Sequence, residues 1–274
     1  MANIEAQRLC HLAAAHWRAA KMGQAELLYE NELRIRRWLS KYANGSLRTT
    51  EPLLLCLQNL GSCKLLCGDY AGAGRCFAEA FSRIRGRPRP LTRRDVAFTA
   101  QMLCLAAELA CASGELSRGR VLAVEATDCI CGLLGAGEEA RLLPYASRLG
   151  SILLQHGFDE LAASLYTALM PTAMKLLVDR SGDLQWHRRI CRMAGDASSA
   201  LDGCGRSHEA RASSREELSL ALSCVRLSGG AEEDRRNLVE AITWAAELAE
   251  EAGDTALALD LEDAAARQQT PRTA

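Results

Sequence analysis

Two pairs of side chains have a spacing that suits metal binding. His187 and Cys191, and likewise Cys63 and Cys67, stand four residues apart, which places each pair on one face of a helix. A tetrahedral zinc site needs four ligands, and its strong sequence signal is a pair of CxxC motifs. The sequence contains no such motif and identifies no further ligands for either pair. We therefore predict that these residues pack in the core, with no metal and no cofactor bound.

The motifs that usually mark an enzyme are also missing. The sequence contains no HExxH metal motif, no GxxxxGK[ST] phosphate loop and no nucleophile elbow, and its five histidines are not paired with nucleophiles in sequence. Gly132, Gly135 and Gly137 weakly resemble a phosphate loop, but no strand precedes them, so we predict a turn between helices. We expect no catalytic residues. An enzyme whose site a single sequence does not reveal is the alternative.

The most concentrated charge is an arginine-rich stretch that Pro88 and Pro90 stiffen. It has no interleaved aromatic residues, which stacking on single-stranded nucleic acid would need. We interpret it as an exposed linker, with a protein contact, or binding to RNA or another polyanion, as the alternatives. Its arginines are Arg83, Arg85, Arg87, Arg89, Arg93 and Arg94.

Helices must position all of these residues. The chain has 274 residues, of which 49% are hydrophobic and only 5% aromatic, so it can bury a substantial core. Alanine and leucine dominate the apolar residues and β-branched residues are sparse, which favours helices packed closely through small side chains. The composition therefore predicts an all-α protein.

Targeting and compartment signals are weak. No run approaches the roughly 18–20 apolar residues that a membrane span needs, and no secretory hydrophobic segment follows Met1. The 12 cysteines are scattered without a disulfide framework, which suits a reducing compartment. We expect a cytoplasmic protein with no membrane partner. Because the first 25 residues contain a single acid, Glu5, a cleavable segment for import into mitochondria or another organelle is the alternative.

Internal repeats decide the fold. Segment 53–81 reads as a helical hairpin: a first helix that carries Leu60 and Gly61, a turn at residues 68–70, and a second helix that carries Phe77. The glycines and alanines let the two helices approach, and the aromatic ring fills the gap between them. Here the sequence resembles the tetratricopeptide repeat. The residues that match its pattern best are Leu60, Gly61, Gly68, Ala73, Phe77 and Ala80, and then Ala146, Leu149, Gly150, Gly157, Ala162, Tyr166 and Leu169.

The small residue that begins each second helix recurs along almost the whole chain, at intervals of 48, 46, 43, 48 and 48 residues. These intervals exceed the roughly 34 residues of the usual repeat and are closer to the kinesin light chain style. The resemblance implies a right-handed α-α superhelix of about six hairpins in a single domain over residues 1–267, followed by a frayed tail, 268–274. The hairpins are predicted at 3–42, 50–84, 93–132, 138–178, 184–227 and 232–267. The recurring residues are Ala25, Ala73, Gly119, Ala162, Ala210 and Ala258.

In this family the first helices of successive hairpins line a concave groove that holds a peptide. The resemblance therefore implies a non-catalytic scaffold, adaptor or assembly subunit that binds a peptide segment or a neighbouring subunit. A nucleic-acid-associated repeat protein using the 83–94 arginines and a peptide-sensing regulatory domain are the alternatives. We predict that the groove is lined by His11, Gln58, Asn59, Ser62, Ser147, Arg148, Ser151, Gln155 and Trp244.

The charge is unevenly distributed although the formal net charge is only −1. Residues 1–137 carry 18 Lys and Arg against 12 Asp and Glu, whereas residues 138–274 carry 15 against 22. We interpret these charges as solvated helix faces. Head-to-tail self-association between the oppositely charged halves is an alternative. The acidic last hairpin is interpreted as a solubilising cap, because an end repeat has no neighbour to cover its outer face.

Overall fold

The computed structural model describes residues 1–42, 47–85 and 92–269, and these ranges contain twelve α-helices and no strand. The prediction of an all-α chain of six hairpins is confirmed. In chain order, the helices are α1 (Ala2–Arg18), α2 (Met22–Tyr42), α3 (Leu47–Leu66), α4 (Tyr70–Arg85), α5 (Arg93–Ala112), α6 (Leu116–Cys131), α7 (Glu139–Gln155), α8 (Asp159–Val178), α9 (Leu184–Gly203), α10 (Ser207–Leu227), α11 (Glu232–Glu251) and α12 (Thr255–Gln269).

All six hairpins turn in the same way. The second residue after each first helix has a left-handed backbone, and the amide of the residue that follows it donates to a carbonyl near the end of the first helix and closes the turn. In the second hairpin, Gly68 has φ +80° and the amide of Asp69 donates to the carbonyl of Lys64 at 2.9 Å. The amide of Gly68 also donates to the carbonyl of Leu65 at 3.2 Å, and this pair of hydrogen bonds is the Schellman motif, which favours glycine. The equivalent residues are Ala20, Gly68, Gly114, Gly157, Gly205 and Gly253.

A glycine on the first helix and a ring on the second helix bring two of the hairpins together. A Cβ placed on Gly61 would overlap the ring of Phe77, and one placed on Gly150 would overlap the ring of Tyr166. Both rings are almost completely buried. The glycine therefore makes the space that the aromatic residue fills, as the repeat pattern predicts.

The chain divides into two compact units, Met1–Cys129 and Ile130–Ala274. Within each unit, most helices pack mainly against their neighbours in sequence, and first helices of successive hairpins also touch: α3 contacts α5, and α7 contacts α9. Because first helices meet across hairpins, their side chains form one continuous surface in each unit. We call this surface the first-helix face. The single domain over residues 1–267 stays a prediction.

Pro171 lies in the interior of α8. Proline removes a helical hydrogen bond and normally ends or kinks a helix. Here Pro171 is exposed, and Thr167, whose carbonyl loses its partner, is exposed as well. Water can satisfy that carbonyl, while Leu165, Tyr166 and Leu169 remain buried on the opposite side. Tertiary packing therefore carries the helix through the proline.

Two predicted segments, the arginine-rich stretch and the tail, lie partly outside the described residues. Residues 86–91 of the arginine-rich stretch lie outside the described residues. At the carboxyl end, α12 continues through Gln269, so the helix extends beyond the predicted start of the tail at 268. The rest of the tail, 270–274, lies outside the described residues.

Two helical stretches, Asp95–Ala112 and Asp159–Val178, are long and apolar enough to cross a membrane by length and composition. Neither stretch is an uninterrupted apolar run, and the absence of a membrane partner stays a prediction. The first stretch, for example, contains Asp95 and Glu108. Of the two stretches, 67% and 44% respectively are buried inside the structure, and both lie in helices that pack in hairpins.

Candidate partner-binding faces

The first-helix face of the second unit is built by α7, α9 and α11. Its central group is the carboxylate of Asp196 on α9, which accepts hydrogen bonds from the hydroxyls of Ser151 on α7 and Tyr166 on α8. The Tyr166 hydroxyl lies 2.7 Å from the Asp196 carboxylate and 3.1 Å from the carbonyl of Ser147. Burial, together with the nearby Asp196, raises the pKa of Tyr166, so this hydroxyl stays a donor. The network joins two hairpins through side chains that reach the surface at Asp196.

A second carboxylate lies close to Asp196. Glu217 on α10 packs against the backbone of α9, where a Cβ on Gly195 would overlap its carboxyl group. One of its oxygens, Oε2, is buried without a hydrogen-bond partner among the described residues. Burial first, and then the charges of Asp196 and Glu240, raise the pKa of Glu217 to about 7. Glu217 is therefore largely protonated in mildly acidic solution, and only then can its carboxyl group donate a hydrogen bond.

Two polar links hold α9 to α11. The Arg188 guanidinium donates two hydrogen bonds of 2.8 Å to the carboxylate of Asp234, which is fully buried. This pairing holds the pKa of Asp234 below its usual range. Farther along the helices, the indole nitrogen of Trp244 donates to the Ser198 hydroxyl at 2.9 Å. Trp244 is half-buried in the contact between hairpins, and its indole nitrogen already has a hydrogen-bond partner within the protein.

Positive charge is concentrated on the amino-terminal half of α9. The guanidinium groups of Arg180 and Arg189 lie 4.6 and 5.4 Å from the ring centre of Trp186, within the range of cation–π attraction. Burial and the neighbouring Arg192 lower the pKa of Arg189. Arg192 itself is exposed, one helical turn before Asp196. Helix α9 thus presents a cation and an anion side by side on the first-helix face.

In the first unit, several polar residues of the first helices are engaged within the protein. The amide of Gln58 on α3 donates to the amide oxygen of Gln101 on α5 at 3.2 Å, and both side chains are only 2% exposed. The ammonium group of Lys64 pairs with three carboxylates, those of Glu26, Glu30 and Asp69. The Gln58–Gln101 bond and the pairs of Lys64 with Glu26 and Glu30 join successive hairpins, and these contacts leave less of this face free for a partner.

The nine predicted groove residues differ in accessibility. Gln58 and Ser147 are buried, because α3 and α7 turn these positions towards the neighbouring helices instead of the solvent. Ser151 is joined to Asp196, and Trp244 to Ser198. Of the remaining residues, His11 and Gln155 are exposed, and Asn59, Ser62 and Arg148 are half-buried.

Asp196, Glu217 and Arg192 were not among the predicted groove residues. A signal for Asp196 existed, since the repeat spacing places it in the position that Asn59 occupies in the second hairpin. No signal marked Glu217, because it lies on a second helix and only packing brings it to Asp196. The roles of all predicted residues in binding a partner stay predictions.

The arginine-rich stretch is only partly described. Arg83 forms an ion pair with Glu79 at 3.2 Å and donates to the Ser40 hydroxyl at 3.3 Å, so it helps to fasten α4 to α2. Arg93 is exposed at the start of α5. Arg87 and Arg89 lie outside the described residues, as do the side chains of Arg85 and Arg94. Binding of a polyanion by this stretch stays a prediction.

The thiols and histidines do not form a metal site among the described residues, where no group of three or more possible ligands occurs together. All 12 cysteines are free. Burial raises the pKa of several thiols, for example that of Cys10 to about 11. A raised pKa keeps the thiol protonated, which makes it a poor nucleophile.

No family model matches the sequence, and no curated protein matches it significantly. Among solved structures, the chain is similar to BtubC (BKLC) from P. vanneervenii, with a TM-score of 0.63 and 15% identity over 92% of this chain and 96% of that one. The TPR2AB domain of yeast Sti1 in its pHSP90 complex matches over 97% of this chain and 98% of that one, with 13% identity and a TM-score of 0.32. A circular tandem repeat protein matches over 97% and 70%, with 18% identity and a TM-score of 0.37. The predicted tetratricopeptide-like fold is confirmed.

Proposed function

We propose that this chain is a non-catalytic scaffold that binds an extended segment of a partner protein along the first-helix face of its second unit. The proposal rests on a row of polar side chains, Gln155, Ser151, Asp196 and Arg192, which we call the polar row. It crosses from α7 to α9 through the hydrogen bond between Ser151 and Asp196. This row is anchored below by the buried ring of Tyr166. It is therefore fixed in position and yet reaches solvent at Asp196.

The chemistry of the row suits a peptide. Gln155 and Arg192 supply exposed donors, Asp196 supplies an acceptor, and an extended peptide offers main-chain carbonyl and amide groups in alternation. Ser151, Tyr166 and Asp196 are already fixed by hydrogen bonds to one another. Little side-chain entropy is therefore lost at these residues when a ligand binds. Arg192 and Asp196 together favour a segment that carries both an acidic and a basic side chain.

The test is an affinity purification from native lysate with the full chain and two matched variants. Replacement of Gln155 and Arg192 by alanine removes two exposed donors on the first-helix face without touching the buried network. Arg215→Ala removes another exposed arginine, on the second helix α10, and serves as the control. We expect a stoichiometric partner that the wild type and Arg215→Ala retain and that the double variant loses. A partner retained equally by all three proteins, or the lack of any stoichiometric partner, would refute the proposal.

A further inference from the structure

The first unit contains an open cleft on the side of its second helices. Helices α4 and α6 form the two walls and α5 forms the floor, and the volume is about 700 Å³. This volume lies in the range of roughly 300–1,000 Å³ that is usual for ligand sites. Phe81, Leu109 and Leu122, all half-buried, line the interior. The cleft is therefore an apolar surface that is only partly covered by the described residues.

The α4 side of the cleft is shallow because the residues that line it there, Gly74 and Ala78, are small. Gly74 and Ala78 lie one turn apart on α4, and both face the cleft. A Cβ on Gly74 would meet only Leu109, at an ordinary contact distance of 3.5 Å, so the backbone packing there does not require glycine. The space above Leu109 is thus left open by the wall residues, and a side chain from another molecule can reach the floor.

The length and the open side of the cleft fit a helix. The residues that line it span positions 70–81 of α4 and 115–125 on the α6 side, which is about 16 Å or three helical turns at 1.5 Å per residue. Because the cleft is open to solvent along one side, any occupant keeps one face in water. An amphipathic helix satisfies both conditions, since its apolar stripe covers the floor and its polar face stays hydrated.

The charges on the two walls define the partner further. On α6, Arg118 is paired with Glu115 at 2.9 Å. Arg75 on α4 and Glu125 on α6 are exposed and form no hydrogen bond or ion pair with the part of the chain that the structure describes. An uncommitted cation thus lines one wall and an uncommitted anion lines the other. A complementary helix carries an acidic residue on its α4 side and a basic residue on its α6 side.

We propose that the cleft between α4 and α6 binds an amphipathic helix of a partner protein, about three turns long. The helix places large aliphatic side chains at positions i, i+3 or i+4, and i+7 over Leu109 and Leu122. Its acidic edge meets Arg75 and its basic edge meets Glu125. This site is separate from the first-helix face and does not depend on the function proposed above for that face.

The experiment starts from a displayed library of 14-residue peptides patterned as amphipathic helices, which is selected on the full wild-type chain. Fluorescence anisotropy then measures the Kd of the selected peptides. Ala78→Glu places a charge in the cleft, and Ala78→Trp fills it without a charge. Ala15→Glu alters an exposed alanine on α1 as the matched control. Thermal unfolding of each variant establishes that it is folded.

We expect selected peptides to bind at least tenfold more weakly to both Ala78 variants and with unchanged Kd to Ala15→Glu. Arg75→Glu weakens peptides with an acidic edge at least fivefold, and a peptide with lysine at that edge recovers the loss. Replacement of Gln155 and Arg192 leaves the Kd unchanged, which separates this site from the first-helix face. The proposal is overturned if no peptide binds the wild type at 100 µM, if binding ignores both Ala78 variants, or if dodecanoate binds the cleft while no peptide does.

Discussion

The ring of Tyr166 occupies the space that a side chain at position 150 would need. Gly150 lies on α7 and Tyr166 on α8, and a Cβ on Gly150 would overlap the carbon that carries the phenol oxygen. The close approach also places the Tyr166 hydroxyl 3.1 Å from the carbonyl of Ser147 and 2.7 Å from the carboxylate of Asp196. The absence of a side chain at Gly150 therefore allows α7 and α8 to pack closely, and this packing places the Tyr166 hydroxyl where it supports the polar row on the first-helix face.

Gly150→Ala is expected to destabilise the chain by about 2–4 kcal/mol, because the ring must move away from a fully packed site and its hydroxyl then loses two buried partners. Urea unfolding followed by circular dichroism measures the change. Gly23→Ala is the matched control: Gly23 is also helical, but its Cβ would meet nothing within 4 Å. We expect the control to be neutral or up to about 1 kcal/mol more stable. Equal effects of the two substitutions would show that packing against Tyr166 is unimportant.

Ala20→Gly is expected to stabilise the first hairpin. Ala20 has φ +56° at the position where the other five hairpins have glycine. A residue with a Cβ is destabilised by about 1 kcal/mol in the left-handed conformation. Glycine avoids this cost, but its greater freedom in the unfolded chain offsets part of the gain. We therefore predict a gain of about 0.5–1 kcal/mol in unfolding experiments. The exposed neighbour Ala19, at φ −86°, provides the control, since glycine there should bring no gain.

Glu217→Gln is expected to change how stability depends on pH. The native pKa of Glu217 is raised from 4.5 to about 7, so its contribution is most favourable below pH 4.5 and is lost as the pH rises through 7. Glutamine cannot ionise, so the variant should gain stability relative to the wild type at pH 8, by up to about 3 kcal/mol, and much less at pH 5. Urea unfolding at both pH values measures this. Glu216→Gln, at an exposed neighbour, controls for the net charge, and an equal gain at both pH values would contradict the assignment.

Asp234→Asn tests the buried pairing with Arg188. Because the native pKa of Asp234 is lowered, its stabilising contribution is present above its unfolded pKa of about 3.9 and is lost as the pH falls through the native value. The variant should have a clearly lower Tm than the wild type at pH 7, and the difference should shrink towards pH 2. Asp263→Asn removes an exposed carboxylate of α12 as the control. A Tm difference that stays constant between pH 7 and pH 2 would rule out this linkage.

The sequence by itself determined the repeated hairpin. Glycines such as Gly68 and Gly157 recur at the position where a left-handed turn must close the first helix, and this requirement is local to the backbone. The pairing of Gly61 with Phe77, and of Gly150 with Tyr166, is also readable from spacing, because helical periodicity places both members on facing sides of one hairpin.

Only the tertiary structure decided which polar residues reach solvent. Periodicity assigned Gln58 to the groove, but the contact between α3 and α5 buries it against Gln101. Packing between hairpins also carries α8 through Pro171 and brings Glu217 close to Asp196. These outcomes depend on contacts between residues far apart in sequence, 43 positions for Gln58 and Gln101 and 21 for Asp196 and Glu217. The energy of such contacts depends on how neighbouring helices exclude water. A periodic pattern specifies the face of a helix, whereas burial and electrostatic environment arise only when the faces meet.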